Sequence, residues 1–237
     1  METFDEIDSF LADSEFFSID DEPEPEQKQK KENQTSDKLS KNAKRFMDEN
    51  KIRGDIYNKP TFQIIKKVLH DLRLPKRGEQ IRIRTQQQIN LLSMILKIID
   101  VHKKIDELTV ATYTFNRFSM ETFSALLKAK AILKLNLLIS SSYEFRDKKY
   151  CQELKEFALT MNKKYSVHLC LAWAHFKITL VKCGDDFYQI EGSMNYSTNN
   201  MAEQLLFENS KETYDYDYKF IKEVILKNKN KALEIIC

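Results

Sequence analysis

Hydrophobic positions in this chain change period along its length, and the changes mark out alternating elements. Residues 61–72 (TFQIIKKVLHDL) place Phe62, Ile65, Leu69 and Leu72 at helical spacing, and residues 80–84 (QIRIR) alternate like a short strand. Residues 86–103 form a long apolar-faced helix with Thr85 as its expected N-cap. Leu108–Tyr113 (LTVATY) reads as a strand, Ser119–Lys130 as a helix, and Ile132–Ile139 (ILKLNLLI) as a buried strand. Ser119 with Thr122 resembles a capping box in which Thr replaces the usual Glu.

The alternation continues. Lys148–Lys164 is expected to be helical, and Ser166–Ala172 (SVHLCLA) and Phe176–Cys183 to be strands. Gly184-Asp185-Asp186 supplies a turn, and Phe187–Glu191 returns as the hairpin partner. A short strand around Gln204–Phe207 and a terminal helix Tyr216–Lys227 complete the series, with the YDYDY run as the start of that helix. Strands alternating with helices of 12–18 residues predict an α/β fold, a mixed β-sheet flanked by helices. No internal repeat is visible.

Composition narrows the chemistry. Four glycines and four prolines in 237 residues are few beside ordinary usage of roughly 7% and 5%, which suits long regular elements. Neither G-x-x-x-x-G-K-[ST] nor G-x-G-x-x-G can be written from Gly54, Gly78, Gly184 and Gly192, which excludes the common nucleotide-cradling loops. Cys151, Cys170, Cys183 and Cys237 form no C-x-x-C pair, so metal-finger and redox-motif readings lack support. With no basic-then-apolar leader and no apolar run of about 18 residues, the expectation is a soluble cytoplasmic protein without a membrane partner.

The net charge of +2 hides two opposed segments. Residues 1–26 carry eleven acids and no Lys or Arg; removing these from the 36 acids leaves 25 against 38 bases, a net +13 for residues 27–237. A basic body attracts polyanions, although lysines also simply solvate helix faces. Within the acidic segment Ile7, Phe10 and Leu11 stand at i, i+3 and i+4, so a short amphipathic helix could form on a protein partner. Residues 22–45 have almost no apolar content. Residues 1–45 are therefore expected to be a disordered acidic tail and linker, and residues 46–237 the folded domain.

One stretch concentrates chemically useful groups. His175 and Lys177, two apart on an expected strand, point to the same face. Past the hairpin come Gly192, Ser193 and Asn195, bringing close backbone approach, a hydroxyl and an amide donor. A nucleophile candidate, a fixed cation and neutral donors together suit a phosphoryl group. The single Trp173 shares the face of His175 and is expected to fill core. Arg117 either lines the cleft or is a surface arginine. His70 and His102 have no such context, and His168 is expected to be a packed or edge histidine.

This H-x-K … G-S-x-N pattern resembles the catalytic motif of the phospholipase D superfamily, convincingly over residues 108–207. Thr112-Tyr113 and Asn116-Arg117 add likeness to its single-motif bacterial and phage members. Where the family's H-x-K-x4-D motif has aspartate, this chain has Lys182, and Asp185 and Asp186 follow in the turn. Glu203, ahead of Gln204-Leu205-Leu206-Phe207, fits the place of the carboxylate found in nuclease-type members.

The resemblance implies metal-independent phosphodiester chemistry with no cofactor. His175 is implied as the nucleophile that forms a phosphohistidine, with Glu203 orienting its ring. Lys177, Asn195, Ser193 and Gly192 are implied to hold the phosphate. With one motif per chain, the second histidine is implied to come from a symmetric homodimer. Nucleic acid, DNA or RNA, is the expected substrate, so the leading expectation is a nuclease-like phosphodiesterase. Two others stand beside it: a catalytically inactive nucleic-acid-binding or scaffold protein on the same fold, and a docking protein whose acidic tail is the functional part.

Overall fold

In the computed structural model the described residues are 72–85, 90–197 and 202–228, all within the compact unit Ile65–Cys237. The expected tail, the linker and most of the helix at 61–72 fall outside these ranges. The elements run β1 (Gln80–Thr85), α1 (Leu91–His102), β2 (Glu107–Thr112), α2 (Arg117–Lys128), β3 (Lys134–Ser140), α3 (Tyr143–Arg146), α4 (Lys148–Asn162), β4 (Ser166–Ala172), β5 (Ile178–Cys183), β6 (Asp186–Gly192), β7 (Glu203–Asn209) and α5 (Lys211–Lys227). The seven strands make one sheet in the order β1-β7-β6-β5-β2-β3-β4. β2, β3 and β4 are parallel and every other pairing is antiparallel, so the expected α/β mixed sheet is observed.

Both faces of the central strands are covered, which is why β2–β4 read as near-continuous apolar runs rather than alternating ones. On one face Ala111, Leu138, Cys170, Ile178 and Leu180 pack against Tyr214, Ile221 and Ile225 of α5. On the other, α1 reaches β6 through His102 and Tyr188 (2.9 Å), and Phe123 of α2 packs at a tilt against Tyr196. Tyr196 in turn bonds Thr179 of β5 at 2.9 Å. Among the described residues no helix is long and apolar enough to cross a membrane.

Several local expectations change. Helix α2 begins two residues before Ser119: its N-cap is Asn116, whose Oδ1 accepts from the Ser119 backbone N–H at 2.9 Å. Helix α1 starts at Leu91 with Asn90 as cap, not at Thr85, which ends β1. Helix α5 starts at Lys211, capped by Ser210, so the YDYDY run lies inside it with Tyr214 and Tyr218 stacked at 5.8 Å. The four-residue helix α3 was not expected, being too short to show a period.

The largest change concerns the segment after β4. The fifth strand begins at Ile178, so His175 and Lys177 precede it. The cause is topological. β4 is an edge strand and β5 lies three places away, about 14 Å at ordinary strand spacing. Trp173–Lys177 must cross the ends of β3 and β2 to cover that gap, so no neighbouring strand is available to pair with them. The two-residue alternation nevertheless persists through the crossing. Ala174 and Phe176 pack on the α5 cluster, as Cys170 and Ile178 do on either side. Positions 173, 175 and 177 therefore turn the other way. His175 and Trp173 are exposed, and Trp173, at 79% exposure, is not core.

Candidate active site

The sheet brings the two motif halves together at one end, where β2, β3, β4 and β6 finish and β5 and β7 begin. Register pairs Ile178 with Glu191, which sets the start of β5 beside the end of β6. The Gly192 N–H donates to the carbonyl of Lys177 (3.4 Å), joining H-x-K directly to G-S-x-N.

Asn195 is held in one orientation. Its Oδ1 accepts from the Thr112 hydroxyl and the Thr114 backbone N–H, both at 3.2 Å. A backbone N–H can only donate, so the oxygen must be the atom that meets it, which fixes the orientation of the amide. The loop carrying Asn195 is anchored further by the Phe115–Tyr196 bridge, by Thr114 with Ser197 (2.8 Å) and by Ser119 donating to the Tyr196 carbonyl (2.8 Å).

Ser193 ties β6 to β7. Its hydroxyl donates to the buried carboxylate of Glu203 and accepts from the Gln204 N–H at 3.0 Å. Glu203 also acts electrostatically on Lys177. Burial lowers the Lys177 ammonium from its ordinary value, and the Glu203 carboxylate and the Tyr113 phenol oppose that shift. The carboxylate thus offsets part of the effect of burial on a half-buried lysine. Lys177 donates to the carbonyl of His175 (2.9 Å) and lies 5.7 Å from the Tyr113 ring centre.

Gly192 is fixed by packing. A Cβ built there would lie 2.1 Å from the Gln204 carbonyl oxygen and 2.7 Å from the Leu205 Cα, so any side chain would collide with the β7 backbone. The crossing of β6 and β7 accounts for this glycine without a ligand.

Three groups were not foreseen as parts of the site. Tyr113, directly after β2, sets its ring 4.4 Å from that of His175, tilted by 52°. Arg146 of α3 lies 4.6 Å over Tyr113 and 5.0 Å over Tyr143. Thr112 and Thr114 aim Asn195. Tyr113 stood at a strand end, where functional side chains concentrate; nothing local marks Arg146. Arg117 does not face the opening, because its guanidinium is taken by Glu153 at 2.6 Å.

The departure at Lys182 lies far from this chemistry. It sits five residues along an extended strand from Lys177, about 16 Å away, at the other end of the sheet opposite Glu107. His168 is on β4 beside Ser166 (3.3 Å), and His102 is engaged with Tyr188.

No family model matches the chain, and no curated protein does. Among solved structures, a polyphosphate kinase from Porphyromonas gingivalis superposes with a TM-score of 0.44 at 11% identity, covering 62% of this chain and 26% of that one. TrmBL2, an archaeal chromatin protein, superposes with a TM-score of 0.37 at 10% identity, covering 81% and 66%. The chain therefore spans about a quarter of the length of the kinase and about two thirds of TrmBL2. At these values the functional reading rests on the residues of the site itself.

Proposed function

We propose that this chain is a phospholipase D-like phosphodiesterase of nuclease type, acting without a metal ion or cofactor as a homodimer. One observation carries the reading: H-x-K and G-S-x-N, with Lys177 and Ser193 sixteen residues apart along a hairpin, converge through the Gly192–Lys177 backbone bond on one end of the sheet.

In the first step a neutral His175 imidazole nitrogen attacks phosphorus, a P–N bond forms and the P–O bond to one nucleoside breaks. The departing alkoxide takes its proton from a general acid on the opposite side, a role we assign to His175 of the partner subunit. Water then attacks the phosphohistidine, giving its proton to that same second histidine, and the P–N bond breaks. Lys177 and the Nδ2 of Asn195 supply charge and hydrogen bonds to the phosphoryl oxygens as negative charge accumulates, preorganised and so cost no rearrangement during the step. Ser193 and Glu203 form the support beneath Lys177, and Gly192 permits the strand contact that seats them. Nucleic acid is favoured over lipid by the +13 charge of residues 27–237.

The test is incubation of purified chain with end-labelled DNA and RNA in excess chelator. The expected result is cleavage that persists in chelator, is lost in His175→Ala, and comes from a species of dimeric mass. Salt-sensitive binding with no cleavage by either form would instead identify a silent nucleic-acid binder on this fold, and an active monomer would overturn the two-histidine mechanism.

A further inference from the structure

Beside the phosphate-handling groups the sheet end carries an unusual rim. Trp173 leaves β4 with 79% of its surface exposed, and Phe145 in α3 is 75% exposed. The two belong to neighbouring strand ends, since the Ser141 N–H donates to the Ala172 carbonyl at 2.8 Å. Arg146 follows Phe145 and lies over Tyr113, the ring that touches His175. Across the end of the sheet the order is therefore Trp173 at β4, Phe145 and Arg146 after β3, Tyr113 after β2, then Lys177 entering β5.

Such groups are expensive to leave in water without a purpose. Isolated exposed apolar residues are ordinary, but two large aromatics flanking a cation beside a candidate active site are a surface for ring faces. Among the described residues no carboxylate forms an ion pair with Arg146, and Lys177, within the field of Glu203, donates to a backbone carbonyl. The rings beneath Arg146 are held in place. Tyr143, the second ring beneath it, is pinned by its hydroxyl, which accepts from the Phe115 N–H at 3.1 Å, and it packs on Tyr150 at 5.1 Å.

We propose that Trp173, Phe145 and Arg146, the last seated on Tyr113, form a stacking platform for the unpaired bases of a single-stranded polynucleotide whose phosphate is held at His175 and Lys177. The choice of a polynucleotide rests on the phosphodiesterase reading above; the selectivity for an unpaired strand comes from the rim. In a duplex each base already has neighbours on both faces and cannot lie on a side-chain ring, whereas an unstacked base can. The platform reads ring faces and phosphates rather than sugars, so deoxyribose and ribose strands fit it equally.

Trp173 is the only tryptophan in the chain, so its fluorescence reports the platform directly. The full-length His175→Asn variant, which lacks the nucleophile, is titrated with a twelve-nucleotide oligothymidylate, a twelve-nucleotide oligouridylate and a twelve-base-pair duplex. Both single strands are expected to quench the emission saturably and the duplex to do so far less. By anisotropy of an end-labelled strand, Trp173→Ala and Arg146→Ala in the same background should each weaken strand binding by about 5- to 150-fold, with little effect on the duplex. Equal quenching by duplex, no quenching by either strand, or conversion of a dimer to a monomer by Trp173→Ala would overturn the proposal, the last by identifying this rim as a subunit interface. A wild-type chain that cleaves DNA while Trp173 stays silent would remove the platform and leave the hydrolase. Quenching without cleavage would do the reverse.

Discussion

The two ends of the sheet handle charge in opposite ways. At the end where β2 and β3 begin, the carboxylates Glu107, Asp106 and Asp186 are each matched by neighbours. Glu107 accepts from Lys134 (3.1 Å), Asn136 (2.7 Å) and Tyr218 (2.9 Å). Asp106 accepts from the Gly184 N–H (2.7 Å) and pairs with Lys104 (3.3 Å), and Asp186 accepts from Arg77 and Asn209, both at 2.9 Å. At the other end, Lys177 bonds only a backbone carbonyl among the described residues, His175 rests against a ring, and Arg146 lies over two rings. A charge enclosed by partners serves the fold; a charge supported from below but left open above serves a ligand. Substitutions at the two ends should therefore separate stability from activity.

The largest separation is expected at Lys177. Lys177→Ala should reduce phosphodiester cleavage by about 10²–10³-fold, the usual effect of removing one preorganised donor to a developing oxyanion. Thermal or urea unfolding should change by no more than about 1 kcal/mol, because the ammonium forms no ion pair and only its field on the Glu203 carboxylate is lost. A variant that lost stability along with activity would mean that this end is as closed as the other.

Glu107→Ala is the mirror experiment. Burial pushes this carboxyl upward, but Lys134, Asn136 and Tyr218 outweigh that and hold it below its ordinary value. Removing it leaves three donors without their acceptor, so unfolding in urea should show a loss of about 2–3 kcal/mol. Activity per folded molecule should stay near wild type. A drop in specific activity instead would show that the ends communicate.

What was legible in the sequence follows the same division. Strands β2, β3 and β4 could be read because burial on both faces leaves apolar runs, and β4 matches Ser166–Ala172 to the residue. The motif halves could be read because His175, Lys177, Gly192, Ser193 and Asn195 stand at the spacing of the motif they resemble, and the hairpin does bring the two halves together. The strand assigned to His175 and Lys177 failed because alternation reports which way side chains point, not whether a neighbouring strand exists. That requires knowing that β4 is an edge and β5 is not. Trp173 was placed in the core on hydrophobicity alone, although it shares the outward parity of His175. Ser119 carries a capping-box pattern, but the helix starts two residues earlier at Arg117, where Asn116 caps it. Arg146 and Tyr113 meet across 33 residues of chain, and no local pattern encodes that contact.

The smallest predicted effect probes a charge that belongs to neither end. Glu121 lies in α2, where burial raises its carboxyl to about 7; Arg117, one turn earlier, opposes this but its guanidinium is engaged by Glu153. Below pH 4.5 folded and unfolded chains both hold this proton. Between about pH 4.5 and 7 the unfolded chain releases it while the folded one retains it, so stability declines across that window and is level above it. Full burial would make the decline on the order of 3 kcal/mol, and the partial exposure of this side chain reduces it to about 1–2 kcal/mol. Glu121→Gln keeps the shape and removes the titration. It should unfold at higher urea than wild type at pH 8, by about 1–2 kcal/mol, match it near pH 4.5, and leave the pH profile of cleavage unchanged. A shift in that profile would place Glu121 in the proton transfers of the reaction, and the open end of the sheet would then no longer contain all of the chemistry.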